Sequence, residues 1–160
     1  MDIAMKRILI ILTLALIPIG LSAQSPMNDF FEDHSGAQGY QTIIYGKRML
    51  DMMKEDASAD VKALLNRISS IRIISAKETE DRIVRLARED VMDSMEYETI
   101  SQINENGSRS EVYISEERID TPEVSFVMIV SGPQGSAVME IIGDFNVKDI
   151  SKLSVIGQKR

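Results

Sequence analysis

The chain has 160 residues, a formal net charge of −7 and no cysteine. This length suits one ordinary domain, and the acidic balance argues against nucleic acid and anionic membranes as partners, because both require a basic face. Without cysteine the chain can form no disulfide and cannot carry the acylated N-terminal cysteine of a lipoprotein.

The first 23 residues show the pattern of a cleavable secretory signal. Two basic residues precede an apolar run from Ile8 to Ile17, Pro18 breaks the run, and Ala23 ends a small-residue cleavage pattern. The run is shorter than the roughly 20 apolar residues that cross a membrane. We therefore predict a signal peptide over 1–23, export to the periplasm or the exterior, and no stable membrane anchor afterwards; the alternative is a retained N-terminal anchor.

The residues that follow the leader divide into a lead-in, a domain and a tail. Residues 24–39 are polar and contain Pro26, and they predict a flexible lead-in in which only Phe30 and Phe31 are strong anchors. Residues 40–155 then predict a single α+β domain, and residues 156–160 a tail.

The first half of this domain is mainly helical. Tyr40–Tyr45 is rich in aromatic and β-branched residues and predicts a strand. Apolar residues at helical spacing predict helices over 47–54, from 58 or 60 to 69, and from about 75 to 94. The last of these begins at a capping-box spacing of Ser75 and Glu78, after a short apolar strand at Ile71–Ile74.

The second half alternates apolar and polar residues, as strands do. Asn106-Gly107 is a strong hairpin signal between strands at 97–104 and 110–116. A two-residue turn there places Thr99 opposite Ile114 and Ser101 opposite Val112. Because helices come early and strands late, the order predicts an α+β fold with a mixed, mainly antiparallel sheet and helices packed on one face.

A second hairpin turns at Gly132–Gly135. Its register sets Met128 against Met139 and Phe126 against Ile141, so that both pairs are apolar on one face. A helical turn is expected over Val147–Leu153.

His34 is the only histidine, and it lies among Asp29, Glu32 and Asp33. A catalytic triad needs an oriented base beside a nucleophile, and a zinc site needs several such ligands. Because His34 falls in the predicted lead-in, we interpret it as a solvated residue. No residue is assigned a catalytic, cofactor-binding or metal-binding role, and no cofactor is expected.

Three other patterns resemble binding sites, but each is incomplete or has a second interpretation. Met49, Met52 and Met53 are thioethers, which suit Cu(I), but Met49 and Met53 are also spaced as core residues. Residues 102–113 resemble a calcium loop but lack its acidic first and twelfth positions. The mixed charges over 77–93 fit a solvated helix face or a docking surface.

Four stretches of the chain form a recognisable pattern: Tyr40–Leu50, Ile71–Ile74 and, at the end of the domain, Met139–Phe145 and Asp149–Leu153. In these stretches the chain resembles the family of exported proteins and lipoproteins of Bacteroidetes known as domain of unknown function 4252. The resemblance covers about residues 28–155. It implies an envelope protein without assigned activity, and it carries over no functional residue.

Three functional hypotheses follow. The leading one is a non-enzymatic exported protein that binds another protein or a second copy of itself. The second is a small-ligand binder with a pocket between the sheet and the helices. The third is a carboxylate-based hydrolase, since carboxylate pairs are abundant but their spacing in the fold is unknown.

Overall fold

The computed structural model describes residues 25, 27–78, 82–94, 96–115, 122–146 and 148–149. Its helices are α1 (Asn28–His34), α2 (Lys47–Met53), α3 (Ala59–Arg67) and α4 (Arg82–Asp93). Its strands are β1 (Gln41–Gly46), β2 (Ile68–Ala76), β3 (Tyr97–Glu105), β4 (Ser108–Ser115), β5 (Val124–Gly132) and β6 (Gly135–Gly143). The predicted signal peptide, the tail and most of the predicted helical turn over 147–153 lie outside the described residues.

The strands form one sheet in the order β1-β2-β6-β5-β4-β3. All five pairings between neighbouring strands of the described chain are antiparallel. Three consecutive hairpin-connected strands, β4, β5 and β6, occupy the centre beside β2, and β1 and β3 form the two edges. The predicted α+β class with a mainly antiparallel sheet is therefore confirmed.

The helices cover both faces of the sheet, so the prediction that they pack on one face is wrong. One core cluster joins α1 and α4 to Val127, and the other joins α2 and α3 to Phe126. Neighbouring residues of a strand point to opposite faces. In β2, Ile74 belongs to the first cluster and Ile71 packs against the second, which a strand does when both its faces are covered.

The segment predicted as a flexible lead-in instead forms part of the core. Phe30 and Phe31 of α1 are 3% and 1% exposed, and Met27 is fully buried. The guanidinium carbon of Arg72 lies 4.5 Å from the centre of the Phe31 ring. The two phenylalanines are thus anchors as predicted, but they order a helix that joins the first core cluster.

Ser75 does not cap a helix. Strand β2 continues to Ala76, which pairs with Ser136 of β6. Helix α4 begins at Arg82 and buries Ile83, Ala87 and Val91, as its predicted apolar stripe requires. The ladder with β6 prevails over the local capping pattern because it satisfies the backbone groups of the strand.

Both predicted hairpins are present. Asn106 and Gly107 have φ values of 50° and 76°, as a type I′ turn requires. Ser101 pairs with Val112 as predicted, but Thr99 pairs with Tyr113, because the register shifts between Thr99 and Ser101.

The second hairpin keeps its predicted register throughout. Met128 pairs with Met139 and Phe126 with Ile141.

Candidate functional site

The sheet face that carries α2 and α3 is only partly covered by these helices. The row of residues nearest the helices is packed against Leu50 and Leu64. This row runs across the strands through Tyr45, Ile71, Ile141, Phe126 and Ile114. Two further rows lie beyond it, toward the two hairpin turns.

The first of these rows, which we call the ridge row, is apolar and half-buried. Its side chains share one face because directly paired residues of neighbouring strands point the same way. The ridge row consists of Ile43, Ile73, Met139, Met128, Val112 and Ser101. Each of these six residues is partly exposed to solvent.

The second row, which we call the trough row, has mainly small side chains at its centre. It consists of Gln41, Ser75, Ala137, Val130, Ser110 and Ile103. Ile103, on edge strand β3, is 56% exposed. We call the ridge and trough rows together the open face; none of its twelve residues is charged.

Three adjoining cavities follow the trough row. A cavity of about 430 Å³ is lined by residues that include Gln41, Ser75 and Ala137. A cavity of about 360 Å³ lies beside Ile103, and one of about 370 Å³ lies beside the two hairpin turns. Val130 lines all three, so the cavities adjoin one another around this residue.

The opposite face, beneath α1, contains a buried polar network centred on Glu140. Glu140 is fully buried and accepts hydrogen bonds from Arg72, with Nε at 2.8 Å, and from the hydroxyl of Ser125 at 2.6 Å. Ser25 also donates to Glu140, and Arg72 donates to the Asn28 side chain at 3.0 Å. The network therefore fastens α1 and the residues before it to the sheet.

Tyr97 extends this network to edge strand β3. Its hydroxyl shares a hydrogen bond of 2.7 Å with the Ser125 hydroxyl. Burial, with the negative charge of Glu140 nearby, raises the pKa of Tyr97 far above its usual value. Tyr97 is consequently a neutral partner in the network at neutral pH.

A second buried carboxylate, Glu111, lies under α4. It accepts hydrogen bonds from Arg88, from Arg109 at 2.7 Å and from the Tyr113 hydroxyl at 3.1 Å. Burial alone would raise the pKa of Glu111, but the two guanidinium groups together outweigh this effect and hold the pKa below its usual value.

These carboxylates give no support to the hydrolase hypothesis. Glu140 and Glu111 are each neutralised by arginine, and neither lines the cavities described above. A general acid or base must reach its substrate. The sequence could have revealed both groups, because each occupies an inward position of a strand whose neighbours on that face are buried.

The structure separates the residues that the sequence singled out. His34 is the last residue of α1, where its Nδ1 lies 2.7 Å from the Phe30 carbonyl oxygen and its ring lies against the Phe30 ring. Its placement in a flexible lead-in is therefore wrong, although the side chain is partly exposed to solvent as predicted. No group of three or more histidine, aspartate or glutamate side chains in the described chain could hold a metal ion.

The methionines of α2 are on the surface. Met49 and Met53 are each 45% exposed and Met52 is 63% exposed, whereas Leu50 is fully buried. The interpretation of Met49 and Met53 as core residues is thus wrong, because Leu50 is the buried residue of α2. Asn106-Gly107 forms the hairpin turn and not a calcium loop.

Within the described ranges, no helix has both the length and the apolar character to cross a membrane. No curated protein matches the chain. A family model described as "Domain of unknown function (DUF4252)" matches residues 33–153, which include all of β1 to β6 and α2 to α4. The chain therefore belongs to the DUF4252 family.

Proposed function

We propose that this protein is a non-enzymatic binding module that associates with a second copy of itself through the open face. The observation that carries the proposal is a ridge row that is apolar except for Ser101, directly beside a trough row of mainly small residues, with charged residues only at the rim. Exposed apolar surface of this kind is typical of association sites.

The two rows are complementary to each other. Consider a twofold axis that lies in the plane of contact, parallel to the two rows and midway between them. It would place the ridge row of each copy on the trough row of the other. Such an isologous contact uses the same patch twice, as closed dimers do. Met139 would then lie over Ala137, and Met128 over Val130 with Ala137 and Ser110 on either side, as side chains interdigitate when two sheets pack face to face.

Electrostatic repulsion between two copies should be weaker when they meet through the open face than through the rest of the surface. Two copies of a chain with a net charge of −7 repel each other in most orientations. The twelve residues of the open face are uncharged, and the charges that line the adjoining cavities, Lys77, Glu105 and Arg109, are of both signs.

The size of the patch predicts weak association. With strands about 4.8 Å apart and rows about 6.6 Å apart, six strands and two rows give a flat area of about 380 Å² per copy. Interfaces burying less than about 1,200 Å² in total are weak or transient. We therefore expect a dimer that forms only at high protein concentration.

Sedimentation velocity tests this proposal from about 10 μM to about 1 mM, a range chosen for the affinity of small interfaces. The wild-type mass should rise with concentration, and Val130→Glu should remain monomeric because it places a charge in the centre of the trough row. Met92→Glu is the matched control, since Met92 is 72% exposed on α4. A constant monomer mass for the wild type would contradict the proposal, as would unchanged dimerisation of Val130→Glu.

The cavity of about 430 Å³ supports a second candidate, binding of a small molecule. Pockets for small ligands usually measure about 300–1,000 Å³. Gln41, Ser75 and Lys77 supply polar groups at the rim. This pocket lies on the open face and not between the sheet and the helices. A thermal-shift screen against metabolites would favour this candidate if a compound raised the melting temperature and Ser75→Trp abolished that rise.

We also propose that the protein acts after export, with residues 1–23 removed. Support comes from the charge and apolar pattern of the leader, together with the anchoring of Ser25 to Glu140, which fixes the chain just after the predicted cleavage point. Intact-mass measurement on protein from its native host should find a chain that begins at Gln24. Retention of Met1 would contradict export with cleavage.

A further inference from the structure

We infer that Met49, Met52 and Met53 of α2 form a surface site for Cu(I), with the three thioether sulfurs as ligands. The site is independent of the open face. All three methionines are exposed, by 45%, 63% and 45%, on a helix that buries only Leu50. Packing therefore does not account for three methionines at these positions.

Helical spacing brings the three side chains together. Met52 and Met53 follow Met49 by three and four residues, and residues at these spacings are neighbours on a helix surface, with Cβ atoms about 5–6 Å apart. At 3.6 residues per turn, Met52 and Met53 lie on either side of the line through Met49. Unbranched methionine side chains are flexible enough to bring their sulfur atoms to one ion.

The ligand set selects a soft, singly charged metal ion. Thioethers are soft ligands and favour Cu(I), whereas Zn²⁺ and Mg²⁺ prefer imidazole, thiolate or oxygen ligands. The carboxylate of the same helix, Asp51, lies on the other flank and is paired with Lys54 at 2.5 Å and Lys47 at 3.9 Å. Within α2 the three sulfur atoms consequently form a neutral ligand set, because the one carboxylate of this helix is paired with lysine.

Composition makes this site easy to isolate experimentally. The chain has no cysteine and a single histidine, and that histidine lies in α1 on the opposite side of the sheet. Stronger Cu(I) ligands therefore do not mask the contribution of the methionines. Binding requires no electron transfer, provided that a reductant keeps the copper as Cu(I).

The test is an anaerobic titration with Cu(I) and ascorbate, in competition with the coloured chelator bicinchoninate. The wild-type protein and Met92→Leu, the matched control at another exposed methionine, should each withdraw one Cu(I) ion from the chelator. The triple variant Met49→Leu/Met52→Leu/Met53→Leu should bind at least about tenfold more weakly, since loss even of an outer-shell partner costs about 10–100-fold.

Two further measurements make the result decisive. Far-ultraviolet circular dichroism should show the triple variant folded, because leucine for methionine conserves volume. X-ray absorption of the loaded wild type should show sulfur as the ligand, without nitrogen from His34. Failure of the wild type to withdraw copper, equal binding by the triple variant, or a nitrogen-dominated ligand shell would each overturn the inference.

Discussion

Replacing Arg72 by methionine should destabilise the fold severely, because it leaves the Glu140 carboxylate buried without its cation. Glu140 is fully buried, and its Oε2 receives Arg72 Nε at 2.8 Å. Removing one partner of a buried ion pair costs about 3–5 kcal/mol. Loss of the Arg72 contact with the Phe31 ring adds about 0.5–1 kcal/mol. The total approaches the stability of a small domain, which is about 5–15 kcal/mol.

Urea unfolding followed by circular dichroism measures this loss directly. The double variant Arg72→Met/Glu140→Leu should be more stable than Arg72→Met alone by at least about 2 kcal/mol, because removing both charges leaves no buried ion unpaired. Lys47→Met is the control at an exposed ion pair and should cost no more than about 1 kcal/mol. If Arg72→Met loses no more unfolding free energy than the control, or if the double variant is less stable than Arg72→Met, then Glu140 does not depend on Arg72 as its buried partner.

Three other predictions concern pH and backbone. The pKa of Glu111 is lowered in the fold, so ionised Glu111 stabilises the protein fully above its pKa in the unfolded chain, about 4.3, and this stabilisation is lost as pH falls. The difference in unfolding free energy between wild type and Glu111→Gln, measured in urea, should therefore shrink on acidification. Burial raises the pKa of Tyr97, so Tyr97→Phe should not reduce the tyrosinate absorbance of the folded protein near pH 10–11. Gly135 has a φ of 126° and a Cβ there would collide with the Ala76 carbonyl oxygen, so Gly135→Ala should lower the melting temperature more than Gly39→Ala, which has open space.

Much of the fold could be predicted because local signals and tertiary pairing agree. Asn106-Gly107 supplies the positive φ values of a tight turn, and this fixes the first hairpin. The pairing of Met128 with Met139 was predictable because only that register places the apolar residues on one face. Where the register shifts near Thr99, nothing in the local sequence indicates the irregularity.

The errors arise where distant contacts decide the structure. Helix α1 is short and polar, and its order depends on burial of Phe30 and Phe31 and on the network around Glu140, which lies more than a hundred residues away in sequence. The layering of the helices was missed because Ile71, Ile73 and Ile74 place apolar side chains on both faces of β2, and this pattern does not show which face each helix covers. The open face was missed for the same reason, since its rows exist only when six strands are placed side by side.

Association of the open face with a second copy should be visible in the methyl resonances of the two methionines that this face contains. Met128 and Met139 lie in the ridge row, whereas Met92 lies on α4 at the opposite side of the sheet. In two-dimensional spectra of methyl-labelled protein recorded at increasing concentration, the Met128 and Met139 signals should shift progressively while the Met92 signal stays in place. Unchanged Met128 and Met139 signals at the highest concentration, or shifts confined to Met92, would contradict the account.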